Sequence, residues 1–540
     1  MTATVETRAL RRRRLRPPRV LVVAALVIGM VFAGPLAYVV IQNVREGADL
    51  ADIVWSEDTA GPLVRSLLLA SVVSLTSALI GTVLAWTVVR TDIRGRSLWK
   101  VVAPLPLVFP SFVGATALIS GFATGGLLEQ LVEPLGVGSL PELSGFRGAW
   151  FVLTLFTYPY VYLPVAARLR HLPAAPEESA RLLGRRPLQV FTSVVLPQSL
   201  TAISAGALLV FLYTISDFGA VQLLRYDTLT RAIFANQLAN RATSFGLALL
   251  LGIVAIVVVA GERALIRRDP PTSGRNRSRA LQIPLGPLRG PVTVAVGAFF
   301  LVALVGPAAS LLHWLIRGLS SERSRGATAV DVDGLWSAVV NTVWVSIAAA
   351  VVTVAVVLPV AYLNARYRSR TGTAANALVV SGFALPGVVI GLAFVFWVLS
   401  TDLFVSFYQT LPLLVLAYVI HFGAQATGAS GVAVGAIPPH LDDAARTLGA
   451  GRLRRFTTIE LPIMAPGLGA AGGLVLLSVM KELPATLFLA PIGFDTLATR
   501  IWSAMETVSY AQAGLDSLVL LAVSGLLTWL LVIRAAEHLD

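Results

Sequence analysis

The feature that most constrains the fold is a series of apolar segments of bilayer length. About 20 consecutive apolar residues suffice for a helix to cross the hydrocarbon core. Such segments recur at 20–42, 63–89, 98–123, 148–168, 199–218, 244–264, 291–316, 335–363, 374–399, 410–431, 463–484 and 513–534. Because a chain in lipid must satisfy its own backbone hydrogen bonds, these segments predict helices. The sequence therefore predicts an all-α integral membrane protein of about twelve transmembrane helices.

Composition agrees with a membrane protein and excludes several other classes. Charged residues make up 13% of the chain, against about a quarter in soluble proteins. The absence of cysteine excludes disulfides and thiolate metal sites. The net charge of +13 lies in short clusters between the apolar segments, which argues for topology and against nucleic-acid binding. The first apolar run, Val20 to Ile41, is longer than a signal peptide's and predicts an uncleaved helix.

The charges of the loops predict the orientation in the membrane. Basic residues concentrate in even-numbered connections, beside the N-terminus and near the C-terminus, and examples are Arg94, Arg185, Arg275, Arg368 and Arg452. Cytoplasmic loops carry such an excess of basic residues. One outer connection, with Arg225, Arg231 and Arg241, goes against the trend. We expect a multi-pass protein of the cytoplasmic (inner) cell membrane with both termini in the cytoplasm.

The two halves of the chain repeat one another. Ser66 matches Thr342 and Pro110 matches Pro386 at an offset of 276, and the offset becomes 265 after a longer outer loop in the first half. Each half has an even number of predicted spans, so the repeats are parallel. The predicted organisation is two six-helix domains, at 1–266 and 291–540, joined by a flexible cytoplasmic linker at 267–290.

The strongest motif is a loop that occurs once in each half, near 174–197 and near 438–462. An acidic residue and two small residues are followed at fixed spacing by a glycine and then by Leu-Pro. In the first copy these residues are Glu178, Ser179, Ala180, Gly184, Leu196 and Pro197, and in the second they are Asp443, Ala444, Ala445, Gly449, Leu461 and Pro462. A glycine can adopt positive φ and end a short helix, and small residues permit close approach of another surface. The motif predicts a helix–turn–helix elbow suited to docking.

This pattern resembles the EAA loop of binding-protein-dependent ABC importer permeases. The resemblance implies a type I permease fold with two fused permease domains. It also implies that each loop docks on an ATP-binding subunit, with Glu178 and Gly184 in the characteristic positions of the first copy and Asp443 and Gly449 in those of the second. Ser179 and Asp443 depart from the pattern by small chemical changes, and Asp443 has the shorter reach.

The segments Ser216 to Val221, Lys481 to Leu487 and Asp495 to Trp502 resemble the ferric-iron uptake subgroup. Fused permeases for thiamine, polyamines or phosphonates are similar, so these substrates stay open. An ion-coupled secondary transporter is the alternative from another class, but it does not need paired docking loops.

Neither lysine of the chain, Lys100 or Lys481, lies in a phosphate-binding loop, because neither is followed by serine or threonine. We therefore expect a transport subunit that is not an enzyme and binds no cofactor. ATP would be used by a homodimeric ATPase at the cytoplasmic face, and substrate would come from an extracytoplasmic binding protein.

Asp217 and Glu482 occupy matched positions near the outer ends of two predicted spans. Carboxylates at membrane depth are rare and often functional, and a hard cation such as ferric iron prefers oxygen ligands. One hypothesis is that the pair lines the translocation path. The alternative is that they are interfacial residues or pair locally, for example Glu482 with Arg500. The five histidines show no ligand spacing, so no metal site is firmly assigned.

Overall fold

The computed structural model describes residues 17–45, 57–136, 140–266, 282–320, 328, 330–367, 369–383 and 385–530. Within these ranges the chain is helical, with one isolated β-bridge between Thr91 and Ile283. Ten described helices are long and apolar enough to cross a membrane, and two bent pairs bring the number to twelve. The predicted all-α fold of about twelve spans is confirmed.

The main helical segments described in the first half are ten, besides a few short turns of helix. They are α1 (Arg19–Arg45), α2 (Glu57–Arg90), α3 (Arg96–Val108), α4 (Ser111–Phe122), α5 (Gly145–His171), α6 (Ala175–Leu182), α7 (Phe191–Ser216), α8 (Gly219–Leu223), α9 (Leu229–Asn236) and α10 (Arg241–Ile266). The short helix α6 lies between the fourth and fifth spans, where the first loop motif is predicted.

The second half repeats this order. Its segments are α11 (Gly286–Ser320), α12 (Leu335–Tyr367), α13 (Arg370–Gly382), α14 (Gly387–Leu399), α15 (Leu411–Gly435), α16 (Pro439–Thr447), α17 (Arg452–Val479), α18 (Pro484–Leu489), α19 (Leu497–Glu506) and α20 (Tyr510–Thr528). The end of the bundle that carries α6 and α16 is called the loop end below.

The third and ninth spans are broken, where the sequence predicts continuous helices over 98–123 and 374–399. The pairs α3–α4 and α13–α14 bend by 94° and 97°. Pro110 and Pro386 stand at the breaks with extended backbones, at ψ of 149° and 150°. Proline has no N–H to donate and its ring crowds the preceding turn, which breaks a helix. These breaks create two buried helix N-termini inside the bundle.

The first helix of each half crosses to the other half. Phe32 of α1 is fully buried and lies against Gly423 of the second half, where a Cβ would collide with its ring. In return, Trp314 of α11 donates its indole N–H to the carbonyl of Ser120 in the first half, at 2.7 Å. The two six-helix repeats are thus intertwined and not merely juxtaposed.

Matched hydrogen bonds show the repeat in three dimensions. The Ser66 hydroxyl accepts the Leu229 N–H at 2.8 Å, and the Thr342 hydroxyl accepts the Leu497 N–H at 2.9 Å. Both hydroxyl residues are 2% exposed. Each bond ties the second span of its half to the short helix that precedes the last span.

We expect Ser66→Ala to destabilise the protein, because the buried Leu229 N–H loses its acceptor at a cost of about 1–3 kcal/mol. The other half supplies the control, since Ser66→Thr places there the residue found at Thr342. Thermal unfolding in detergent should therefore show a lowered midpoint for Ser66→Ala and a midpoint near wild type for Ser66→Thr. Equal midpoints for wild type and Ser66→Ala would contradict this role.

Most of the predicted linker, 267–281, lies outside the described residues. Its final part binds the loop that follows α2. The Ile283 N–H donates to the Arg90 carbonyl and the Leu285 N–H to the Asp92 carboxylate, both at 2.8 Å. The domain boundaries themselves stay a prediction.

Candidate functional site: the paired loops and the buried carboxylates

The first loop motif folds as a short helix ended by glycine. Helix α6 has proline in its first turn, followed by Glu177 and Glu178, which suits the positive end of the helix dipole. Gly184 has a φ of +79°, and the Arg185 N–H returns to the Ala180 carbonyl at 3.1 Å. This is a Schellman termination, which needs a left-handed residue.

The second loop has the same geometry. Gly449 has a φ of +77°, and the Ala450 N–H returns to the Ala445 carbonyl at 3.0 Å. The residues correspond to those of the first loop at the predicted offset of 265. The side chain of Asp443 lies outside the described residues, although its backbone belongs to α16. Both loops therefore present the same backbone shape at the loop end.

The sequence suggests that the small residues of the motif face another surface, but not all of them face outward. Ala180 and Ala445 are each 6% exposed and pack inward, whereas Ser179 and Ala444 are exposed. The Ser179 hydroxyl donates to the Ala175 carbonyl of its own helix at 2.9 Å. Only one small residue of each pair is thus open to another surface, and Glu178 is exposed beside it in the first loop.

Exposed leucines complete each loop, and sequence reasoning missed them. Leu183 is 80% exposed and its counterpart Leu448 is 86% exposed, both directly before the glycine. In the first loop Leu182 is also 88% exposed. Apolar side chains with such large exposed fractions are suited to contact with another protein. The signal in the sequence is Leu-Gly at the same place in both motifs.

A buried ion pair anchors the first loop to the second span. The Arg90 guanidinium at the end of α2 donates to the Glu177 carboxylate, and the two side chains are 1% and 3% exposed. Burial raises the pKa of Glu177, and the charge of Arg90 opposes that shift. The sequence emphasised Glu178, but its neighbour Glu177 forms this contact.

Both loops continue into the next span through a π-helical turn. The turns are Phe191–Val195 and Phe456–Glu460, each directly before Leu-Pro. Pro197 and Pro462 cannot donate the regular helical bond, which explains the locally wider turn. The second arm of each predicted elbow therefore continues into its span as one helix.

Asp217 and Glu482 lie at the broken spans and cap short helices. The Asp217 carboxylate accepts the N–H groups of Ala220 at 3.0 Å and Val221 at 3.4 Å, together with the hydroxyl of Ser111 at the start of α4. The Glu482 carboxylate accepts the Ala485 N–H at 3.1 Å. The acids are 8% and 9% exposed.

The second-half carboxylate has different neighbours. His421 Nε2 lies 3.7 Å from Glu482 Oε2, and Gly387 stands where the first half has Ser111. A Cβ at Gly387 would collide with the longer glutamate side chain. Arg500, which the sequence offered as a partner for Glu482, instead lies 3.3 Å from Asp516.

The two capped segments meet between the halves. Phe218 stacks on Trp502 with ring centroids 5.5 Å apart. The Lys481 ammonium donates to the Leu107 carbonyl of the first half at 3.1 Å. Among the described residues there is no group of three or more histidine or acidic side chains that could hold a metal ion.

Two parallel, intertwined six-helix repeats with paired exposed loops define a membrane transport permease. A model of the family "Binding-protein-dependent transport system inner membrane component" matches residues 77–268 and 357–539. The chain belongs to this family. It is an ABC importer permease, a multi-pass transport subunit of the inner membrane.

Relatives with known names cover one or both halves. The Fe(3+)-transport system permease protein FbpB 2 of Haemophilus influenzae is 30% identical over 96% of this chain and 98% of its own length. The putative ferric transport system permease protein FbpB 1 of the same organism is 24% identical over 82% of this chain and 71% of its own. The putative 2-aminoethylphosphonate transport system permease protein PhnU of Salmonella typhimurium is 28% identical over 47% of this chain and 92% of its own.

Proposed function

We propose that the chain is the permease of a ferric-iron importer. The observation that carries this proposal is the 30% identity to an Fe(3+)-transport permease over nearly the full length of both chains. The phosphonate permease aligns with less than half of this chain. A fused two-half permease similar along its whole length is the better guide to substrate than a relative of one half.

In this proposal both termini and the loop end face the cytoplasm, where a homodimeric ATPase docks on the two loops. The exposed Leu183 and Leu448 and the equal backbone geometry support two equivalent contacts. ATP would be bound and hydrolysed by the ATPase alone. An extracytoplasmic binding protein would deliver substrate at the opposite end.

Closure of the ATPase dimer would draw α6 and α16 together. The Arg90–Glu177 pair would pass the movement of α6 to α2, and the π-helical turns would pass it to α7 and α17. Packed helices move as rigid bodies, so the path between the halves would reorient as a unit.

Uptake by the complex reconstituted in vesicles, with its ATPase and binding protein, tests the substrate. We expect ATP-dependent accumulation of ferric iron and none of thiamine, a polyamine or 2-aminoethylphosphonate. Accumulation of one of the organic substrates without iron would overturn the iron proposal. Uptake driven by an ion gradient without the ATPase would overturn the importer mechanism.

We further propose that Asp217 and Glu482 act as helix caps in this conformation and not as an open cation path. Asn and Gln keep the acceptor oxygen, so Asp217→Asn with Glu482→Gln should transport and unfold nearly as wild type does. Asp217→Ala removes the acceptor from Ala220 and Val221 and should cost about 1–2 kcal/mol.

Measurements of iron uptake and of substrate-stimulated ATP hydrolysis separate the two roles. If the charges guide the cation, the Asn/Gln variant will lose transport as fully as the Ala variant does. That result, with an unchanged unfolding midpoint for the Asn/Gln variant, would show that the charges themselves serve transport and would overturn the proposal that the two acids act only as helix caps.

A further inference from the structure

The second half contains a cleft at the loop end, and the proposed docking of the loops on the ATPase gives this cleft no role. Its volume is about 740 Å³. It lies between the last turns of α12, the segment that follows Gly449, and the start of α1, where Pro18 precedes the helix and Leu21 belongs to its first turn. Since α1 begins there, the cleft stands at the level where a spanning helix leaves the bilayer.

The upper wall of the cleft is basic. Arg446, Arg452 and Arg455 line it, together with Glu460. The Glu460 carboxylate is 6% exposed and accepts the Tyr362 hydroxyl at 2.6 Å. Arg366 also lines the cleft, but it corresponds in the repeat to Arg90, so a loop-anchoring role fits it better. Guanidinium groups at the level where a spanning helix leaves the bilayer favour a ligand with a phosphate group.

The wall nearer the middle of α12 is apolar and partly exposed. Leu21, Ala355 and Leu358 line it. One turn deeper on α12, Val351 is 65% exposed on the face of the helix that carries Ala355. A ligand that fills the cleft therefore meets guanidinium groups above and a hydrocarbon surface below.

The first half has different side chains at the matched positions that the structure describes. Trp86 stands at the position of Tyr362 and packs edge-on against Phe191, with ring centroids 5.4 Å apart. Val190 and Val195 replace Arg455 and Glu460, and each is 2% exposed. At these positions the repeat thus has buried apolar side chains in one copy and charged side chains in the other.

We propose that this cleft binds the headgroup of one anionic phospholipid, with its acyl chains along α12. The phosphate lies against Arg446 and Arg452, and the glycerol and upper acyl carbons lie on Leu21 and Ala355. The site is independent of which substrate is transported. Because the cleft adjoins Gly449, the bound lipid steadies the second loop.

Native mass spectrometry of the purified permease–ATPase complex tests the site, with phosphatidylglycerol and phosphatidylcholine as probes. We expect one phosphatidylglycerol retained in preference to phosphatidylcholine. Arg446→Gln with Arg452→Gln should weaken its binding about 25-fold, at about fivefold for each arginine near a headgroup. Arg185→Gln with Arg186→Gln removes two exposed arginines from the first loop and should leave binding unchanged.

Ala355→Trp fills the apolar wall without altering charge, and it should weaken phosphatidylglycerol binding. If surface charge alone held the lipid, this variant would bind it as wild type does. Equal binding in the two arginine pairs would overturn the proposal. Displacement of the lipid by free glycerol phosphate at equal concentration would assign the cleft to a soluble phosphate instead. Loss of the ATPase from the Arg446/Arg452 variant, with phosphatidylglycerol still retained, would assign those arginines to ATPase docking.

Discussion

Replacing Gly184 and Gly449 with valine should reduce substrate uptake by at least an order of magnitude while leaving membrane insertion intact. Both glycines have φ near +78°, a conformation that costs other residues about 1–2 kcal/mol and β-branched residues more. A Cβ at either position meets nothing within 4 Å, so the strain lies in the backbone and not in a clash. Uptake, ATP hydrolysis and yield of the assembled complex are the measurements.

Asparagine is the matched control, because it adds a similar side chain at the same two positions but tolerates positive φ. Gly184→Asn with Gly449→Asn should retain most of the uptake. If the asparagine and valine variants lose uptake equally, the loss is caused by added bulk at the docking surface and not by disruption of the left-handed turn. Undiminished uptake in the valine variant would contradict the coupling role of both loops.

Replacing Arg90 with methionine should both destabilise the protein and uncouple ATP hydrolysis from uptake. The variant leaves Glu177 buried without its partner, and breaking a buried ion pair typically costs about 3–5 kcal/mol. It also removes the contact that ties α6 to α2. The midpoint of thermal unfolding and the ratio of uptake to ATP hydrolysis measure the two effects separately.

The double variant Arg90→Met with Glu177→Leu separates stability from coupling. With both charges gone it should recover most of the unfolding midpoint, because an apolar pair can replace a buried ion pair. Arg94→Met removes an exposed arginine four residues away and should change neither measurement. An Arg90→Met variant that unfolds and transports like Arg94→Met would contradict the anchoring role.

The sequence by itself determined the features that depend on local chemistry. Apolar length predicted the spans, and Gly184 and Gly449 ended the loop helices at the expected places. Each of these follows from a residue's own conformational limits or from the cost of polar backbone in lipid. The register between the halves was also readable, because a repeated fold needs the same special residues twice.

Only the tertiary structure decided which distant groups meet. No periodicity in the chain indicates that α1 and α11 exchange sides, or that Arg90 pairs with Glu177 across 87 positions. The same holds for Asp217 and Glu482. Their oxygens could bind either a cation or a backbone N–H, and the structure places N–H groups of the short helices α8 and α18 beside them. Such choices depend on packing between segments far apart in the chain, and the local pattern of residues does not contain that information.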